Sequence, residues 1–236
     1  MKRLAVLSGA GVSKESGINT FRDSGGLWEQ YPVEEVASIE GWYRNPGLVL
    51  DFYNARRRDI KDKEPNEAHR IIAELEKDFK VTVITQNIDN LHERAGSTDI
   101  IHLHGEITKA RGEHSLLPVY DIGYSDIHLG DKDNRGEQLR PHIVWFGEPV
   151  PMIEKAAEVV SRCDILLVIG TSLAVYPAAG LVGYIRDGVP VYLIDPNPIS
   201  LHYSHYTQIQ DVATSGMRRF KAMVNTKKLG AVSNLN

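Results

Sequence analysis

The chain has 236 residues, 42% of them hydrophobic and 25% charged, with a formal net charge of −4. These values fit a globular domain that buries a full core, and they argue against a general affinity for nucleic acid or an anionic membrane. The single cysteine, Cys163, excludes an internal disulfide and a thiolate-rich zinc site. No apolar run approaches the roughly 20 residues that span a bilayer, and the apolar start is too short for a signal peptide, so the expected compartment is the cytoplasm.

In chain order, Leu4–Leu7 is an unbroken apolar run, the pattern of a strand covered on both faces. A helix is expected over Pro46–Asp62. Another is expected over Glu67–Lys77, where Ala68, Ile71, Ile72 and Leu75 recur at helical spacing behind an Asn66 cap. Val81–Ile84 is the second buried strand, and Ile100–Leu103 a short one. Pro151–Cys163 repeats the helical signal, Ile165–Ile169 is the third buried strand, Pro177–Asp187 reads as a helix stopped by Gly188, and Val191–Ile194 is the fourth. Strands alternating with helices predict an α/β fold, a doubly wound parallel sheet. Arg22–Lys63 and Lys109–Pro141 do not fit that sheet and are read as a small inserted module. The boundaries that follow are 1–21, 67–108 and 142–224 for the sheet domain, 22–66 and 109–141 for the module, and 225–236 for a polar, frayed tail.

The chemistry gathers where the strands end. Gly9-Ala10-Gly11-Val12-Ser13 follows the first, Thr85-Gln86-Asn87-Ile88-Asp89 the second, Gly170-Thr171-Ser172 the third and Asp195-Pro196-Asn197 the fourth. Ligands of open α/β sheets bind beyond the carboxyl ends of the strands. Gly9 and Gly11 are expected to let backbone N–H groups approach a pyrophosphate, with Gly170, Thr171 and Ser172 doing the same from a neighbouring strand. Asp195 is placed to accept hydrogen bonds from ribose hydroxyls.

These segments, together with Thr20-Phe21-Arg22, His102-Leu103-His104-Gly105-Glu106 and Val144-Trp145-Phe146-Gly147-Glu148, resemble the motifs of the sirtuins, in family order over roughly residues 4 to 200. The resemblance implies a Rossmann-like domain with a small module, a monomer, NAD consumed as cosubstrate, and acylated-lysine proteins or peptides as substrates, with no nucleic-acid or membrane partner. It implies removal of the acyl group to give nicotinamide, O-acyl-ADP-ribose and free lysine. By the same resemblance His104 is the general base, Asn87 and Asp89 belong to the nicotinamide pocket, and Phe21, Arg22 and Gln86 to the cofactor loop and its contacts. Val144, Trp145, Phe146, Gly147 and Glu148 become the strand on which a substrate peptide pairs.

The chain departs from the family at the zinc site. Gly112 stands where the first of four cysteines is expected, and no metal is expected here. His114, His128, Asp121, Asp126, Asp131 and Asp133 are read as loop residues, with the module packed through Leu116, Leu117, Val119, Tyr120, Ile122 and Tyr124. Asp195 replaces a common Asn, which keeps NAD binding and disfavours a phosphorylated ribose. Tyr53 and Arg56 are i, i+3 neighbours that resemble the Tyr-x-x-Arg pair of the branch removing succinyl and malonyl groups, a fork and a hydroxyl for a carboxylate. Ala37 matches the small residue that makes room for the longer chain, while Arg57 and Arg58 are expected on a solvated face. Two other readings remain on this scaffold: NAD glycohydrolysis or ADP-ribosyl transfer, and a catalytically silent nucleotide sensor.

Overall fold

A computed structural model describes residues 1–19, 31–201, 203 and 206–232, with side chains to residue 225. The expected cofactor-loop residues Thr20, Phe21 and Arg22 lie outside that set.

Six parallel strands form the main sheet: β1 (Arg3–Ser8), β2 (Lys80–Thr85), β3 (Ile100–His102), β7 (Ile165–Ile169), β8 (Val191–Ile194) and β9 (Tyr206–Ile209). Their order is β3-β2-β1-β7-β8-β9, so the winding reverses between β1 and β7. Successive side chains of a strand point to opposite faces, and the two faces are buried by different helices. Leu4, Val6, Val83, Leu167 and Ile169 pack under α5 (Glu67–Glu74) and α8 (Ala213–Val232), which contribute Ala68, Ile72, Met217 and Phe220. Ala5, Leu7, Leu166, Val168 and Leu193 pack under α7 (Ile153–Arg162) and a 3-10 helix, Ala178–Tyr184. This last element was expected to be an α-helix. Gly180 and Gly183 fall inside it, and glycine is a poor helix former.

The first turn, α1 (Gly11–Lys14), follows β1 directly, and α6 (Leu91–Ala95) lies between β2 and β3. The inserted module carries α2 (Val33–Val36), α3 (Ile39–Arg44) and α4 (Pro46–Lys61), which starts with Pro46 behind an Asn45 cap. A second, antiparallel sheet is built from β4 (Gly105–Gly112), β5 (Val119–Asp121) and β6 (Leu139–Ile143), in the order β5-β4-β6. A separate core joins them, with Trp42, Leu50, Phe52, Ile107, Ile127 and Trp145 among its members. Ile122 and Tyr124 pack against that core as expected, but Leu116 and Leu117 are 56% and 69% exposed and contribute nothing to it.

Arg57 also departs from expectation. Its guanidinium is fully buried, donating from Nε to the Ile107 carbonyl at 2.8 Å and from Nη1 to Asn54 Oδ1 at 2.8 Å. The helix is covered on two sides, by its neighbouring helices and by the second sheet, which a single amphipathic stripe does not reveal. Arg58 is exposed and pairs with Asp126.

Candidate active site

One cavity of about 1050 Å³ runs along the carboxyl ends of β1, β2, β7 and β8 and under the module. Gly9, Ala10, Gly11, Ser13, Gln86, Asn87, Ile88, Asp89, His104, Gly170, Thr171, Ser172, Asp195 and Asn197 line it from the sheet. Ala37, Tyr53, Arg56, Val144, Trp145, Phe146, Gly147 and Glu148 line it from the module side. Every expected site residue that is described therefore meets in one space, at the point where the winding reverses.

The two glycines are at the right place for a reason other than the expected one. Gly9 N–H donates to the Ile169 carbonyl at 3.1 Å and Gly11 N–H to the Gly170 carbonyl at 2.8 Å, so neither is available to a pyrophosphate. A Cβ at either would lie 2.7 Å from Thr171 or Gly170. Their small size lets the β1 and β7 turns touch. Gln86 ties a third end to this junction, donating from Nε2 to Thr171 Oγ1 at 3.1 Å.

At the floor of the cavity lies a hydrogen-bonded polar group. Ser13 Oγ donates to Asp89 Oδ2 at 3.0 Å and accepts from Asn87 Nδ2 at 3.1 Å. His69 completes it. The Asn66 N–H donates to His69 Nδ1, which places the imidazole hydrogen on Nε2, 3.5 Å from Ser13 Oγ. Burial pushes His69 down to about 4, so it stays neutral near pH 7. Burial raises Asp89, against the lowering effect of the Leu91 N–H and the Ser13 hydroxyl. The sequence motifs that carry the site do not include His69. Its signal was the spacing Asn66…His69, a capping box in which the imidazole replaces the usual Glu or Gln.

His104 follows β3, with Gly105 behind it at φ +80°. Its Nδ1 lies 2.9 Å from the Gln86 carbonyl, an acceptor, so Nδ1 carries the hydrogen and Nε2 keeps its lone pair. Burial lowers the pKa of His104 below the usual imidazole value. On the fourth strand, buried Asp195 accepts from the Asn197 N–H at 2.9 Å and from its side-chain amide.

On the module side, Tyr53 is buried and accepts a hydrogen bond from Trp145 Nε1 at 2.9 Å. Residues 144–148 do not form the expected strand. β6 stops at Ile143, and a single bridge joins Phe146 to Ser38. The N–H groups of Val144, Phe146 and Glu148 donate to backbone carbonyls, and that of Trp145 to the Glu148 carboxylate. Glu148 is turned onto Arg140, accepting from Nη1 at 2.7 Å and Nη2 at 2.9 Å, with Arg111 beside it.

Comparison with known proteins identifies this arrangement. The pattern of the Sir2 family matches residues 9–177. This chain belongs to the Sir2 family. The sirtuin is 53% identical over 231 residues to an NAD-dependent protein deacylase of Bacteroides thetaiotaomicron, covering 95% of this chain and 98% of that protein. It is 50% identical over 219 residues to one of Helicobacter pylori, covering 92% and 95%. Among solved structures, the NAD complex of a Sir2 homologue superposes with a TM-score of 0.86 at 37% identity, covering 96% of this chain and 90% of that one.

At Gly112, where the resemblance led us to expect the first zinc cysteine, a Cβ would crowd Glu137 Oε2. Glu137 closes the loop instead, accepting from the His114 N–H and the Ser115 hydroxyl, while Asp133 accepts from the Arg135 and Glu137 N–H groups. Among the described residues, the His and carboxylate groups close enough to share a cation are Glu93, His102 and Glu106, and His102 is already paired with Glu93 there.

Proposed function

We propose that this sirtuin removes acyl groups from protein lysine using NAD, and takes succinyl and malonyl groups in preference to acetyl. It is an NAD-dependent protein deacylase; the acyl preference and the role of each residue are inferences from the chemistry of the cavity. The observation that carries them is that Tyr53 and Arg56 open into the same cavity as Asn87, Asp89 and His104.

The donor set suits NAD. The volume is at the upper end for small-molecule clefts, leaving room for the dinucleotide and an acyl chain. Asp195, oriented by Asn197, accepts from ribose hydroxyls, and its charge disfavours a ribose phosphate. With the Gly9 and Gly11 N–H groups engaged, phosphate contacts fall to Ala10, Thr171 and Ser172 at the same strand ends. NAD supplies a ribose carbon whose bond to nicotinamide breaks with a build-up of positive charge. Asp89 is a buried carboxylate lining the same cavity and would stabilise that charge, because a fixed charge acts strongly in a water-poor site. Asn87 is held by donating to the Gly9 carbonyl and to Ser13, and its amide oxygen would accept from the nicotinamide amide. His104, neutral and with Nε2 unprotonated, takes the proton of a ribose hydroxyl. The products are nicotinamide, O-acyl-ADP-ribose and free lysine.

The substrate peptide lies along Val144, Trp145, Phe146, Gly147 and Glu148. Four of those N–H groups already donate within the protein, so peptide pairing uses the carbonyls and the Gly147 N–H. Ala37 leaves room for the acyl chain, and Arg56 and Tyr53 hold its terminal carboxylate. This reading keeps the division into an NAD-binding domain and a small module, with a monomeric chain. Mass spectrometry of matched acetyl- and succinyl-lysine peptides, with wild type and Arg56→Met, tests it. Succinyl is expected to leave faster in wild type, and the variant to lose that preference. Equal or slower removal of succinyl by wild type refutes the clamp.

A further inference from the structure

The preference assigned to Tyr53 and Arg56 requires the Tyr53 hydroxyl to act as a donor, and a phenol need not do so. It carries one hydrogen and two lone pairs, and can meet a ligand with either. An indole N–H is a donor only, so in the 2.9 Å bond from Trp145 Nε1 the Tyr53 oxygen must accept. That contact occupies one lone pair and turns the hydroxyl hydrogen away from Trp145. Both residues are 98% buried, and both line the cavity beside Arg56. Burial pushes the Tyr53 phenol up to about 12, so it keeps its hydrogen throughout the working range.

Trp145 is itself held in one position. The Arg140 guanidinium lies 3.5 Å from its ring centroid, fixed by two hydrogen bonds to Glu148, and the Trp42 ring packs 5.4 Å away. These contacts hold the ring in the orientation that donates to Tyr53.

We propose that Trp145 is a positioning residue that sets acyl specificity: its N–H points the Tyr53 hydroxyl hydrogen into the acyl channel, so that Tyr53 and Arg56 together present donors alone and select a chain ending in a carboxylate. This rests on the acidic-acyl reading above. The device discriminates by polarity rather than size, because the channel end then offers an acetyl methyl nothing that its removal would take away.

The test is the ratio of kcat/KM for succinyl-lysine to that for acetyl-lysine peptide, measured in wild type, Trp145→Phe, Tyr53→Phe and the double variant. A ratio cancels any effect common to both peptides. Trp145→Phe keeps a ring and removes the N–H, and is expected to lower the ratio about tenfold, the scale of one hydrogen bond to a charged group. On the Tyr53→Phe background the same change is expected to leave the ratio unaltered. If wild type prefers succinyl and Trp145→Phe keeps that preference, or lowers it equally on both backgrounds, the proposal falls while the clamp stands. If wild type shows no preference for succinyl, the clamp falls and the proposal with it. Should Trp145→Phe fail to fold, benzothienylalanine at position 145, isosteric and without the N–H, carries the same comparison.

Discussion

Replacing Arg57 by Met would separate a structural arginine from its catalytic-side neighbour. The guanidinium is fully buried and makes two hydrogen bonds, to the Ile107 carbonyl and Asn54 Oδ1. Bonds from a charged donor contribute about 1.5–3 kcal/mol each, which sets a ceiling of about 6 kcal/mol on the loss. Burial lowers the Arg57 pKa from 12.5 to about 10, and at about 1.36 kcal/mol per pH unit removing the cation returns roughly 3 kcal/mol of desolvation. Asn54 Oδ1 keeps the Ile127 N–H at 3.0 Å, whereas the Ile107 carbonyl loses the Arg57 donor, at a cost of about 1–3 kcal/mol. A net destabilisation of about 1–3 kcal/mol follows, the ceiling less the desolvation returned, since Met fills much of the vacated volume. Urea unfolding followed by tryptophan fluorescence reads it, because Trp42 and Trp145 share the core that Arg57 anchors. Arg58→Met, at an exposed ion pair, is the control and should shift stability by less than about 1 kcal/mol. If Arg57→Met costs no more than Arg58→Met, the account of a buried anchor is wrong.

His104 gives a pH prediction. As the base proposed above, with its pKa lowered by burial, it should leave kcat/KM for the acyl peptide flat above pH 6.5 and reduce it only as the pH drops through the lowered pKa; an acid limb centred at or above pH 7 contradicts the assignment. Gly105→Ala should destabilise the fold by about 3 kcal/mol or more, because a Cβ there meets the His142 carbonyl oxygen and the backbone is left-handed. For a chain of this length that is roughly 6–12 °C in Tm, and a calorimetric shift under about 2 °C would show that the β4–β6 approach is looser than described.

The strand order was not legible in the sequence, but the four strand ends were, because a strand buried on both faces is apolar at every position and stops abruptly where it reaches the ligand. What the motifs could not carry was the use made of each group. Gly9 and Gly11 stand where a cofactor turn needs them, yet their N–H groups serve the junction between β1 and β7. Hydrogen-bond partners are settled by residues distant in the chain, and no local pattern encodes them. Glu148 lines the cavity as expected and also supports Arg140 and the Trp145 N–H, a pairing that depends on how β6 meets its loop. Arg56, Arg57 and Arg58 form one run of identical residues with three fates: lining the cavity, buried anchor, and exposed ion pair. A few tens of degrees around a helix decide between them, and sequence alone does not give the rotation of α4 against the second sheet.

The position of His104 has a mechanical consequence. Its imidazole is tied to Gln86, on the parallel sheet, and its own carbonyl accepts the Val144 N–H from the segment that leaves β6. The residue is thus bonded to both sides of the cavity at once. Displacing either side loads a bond to His104, so the aim of its imidazole is coupled to the width of the cavity.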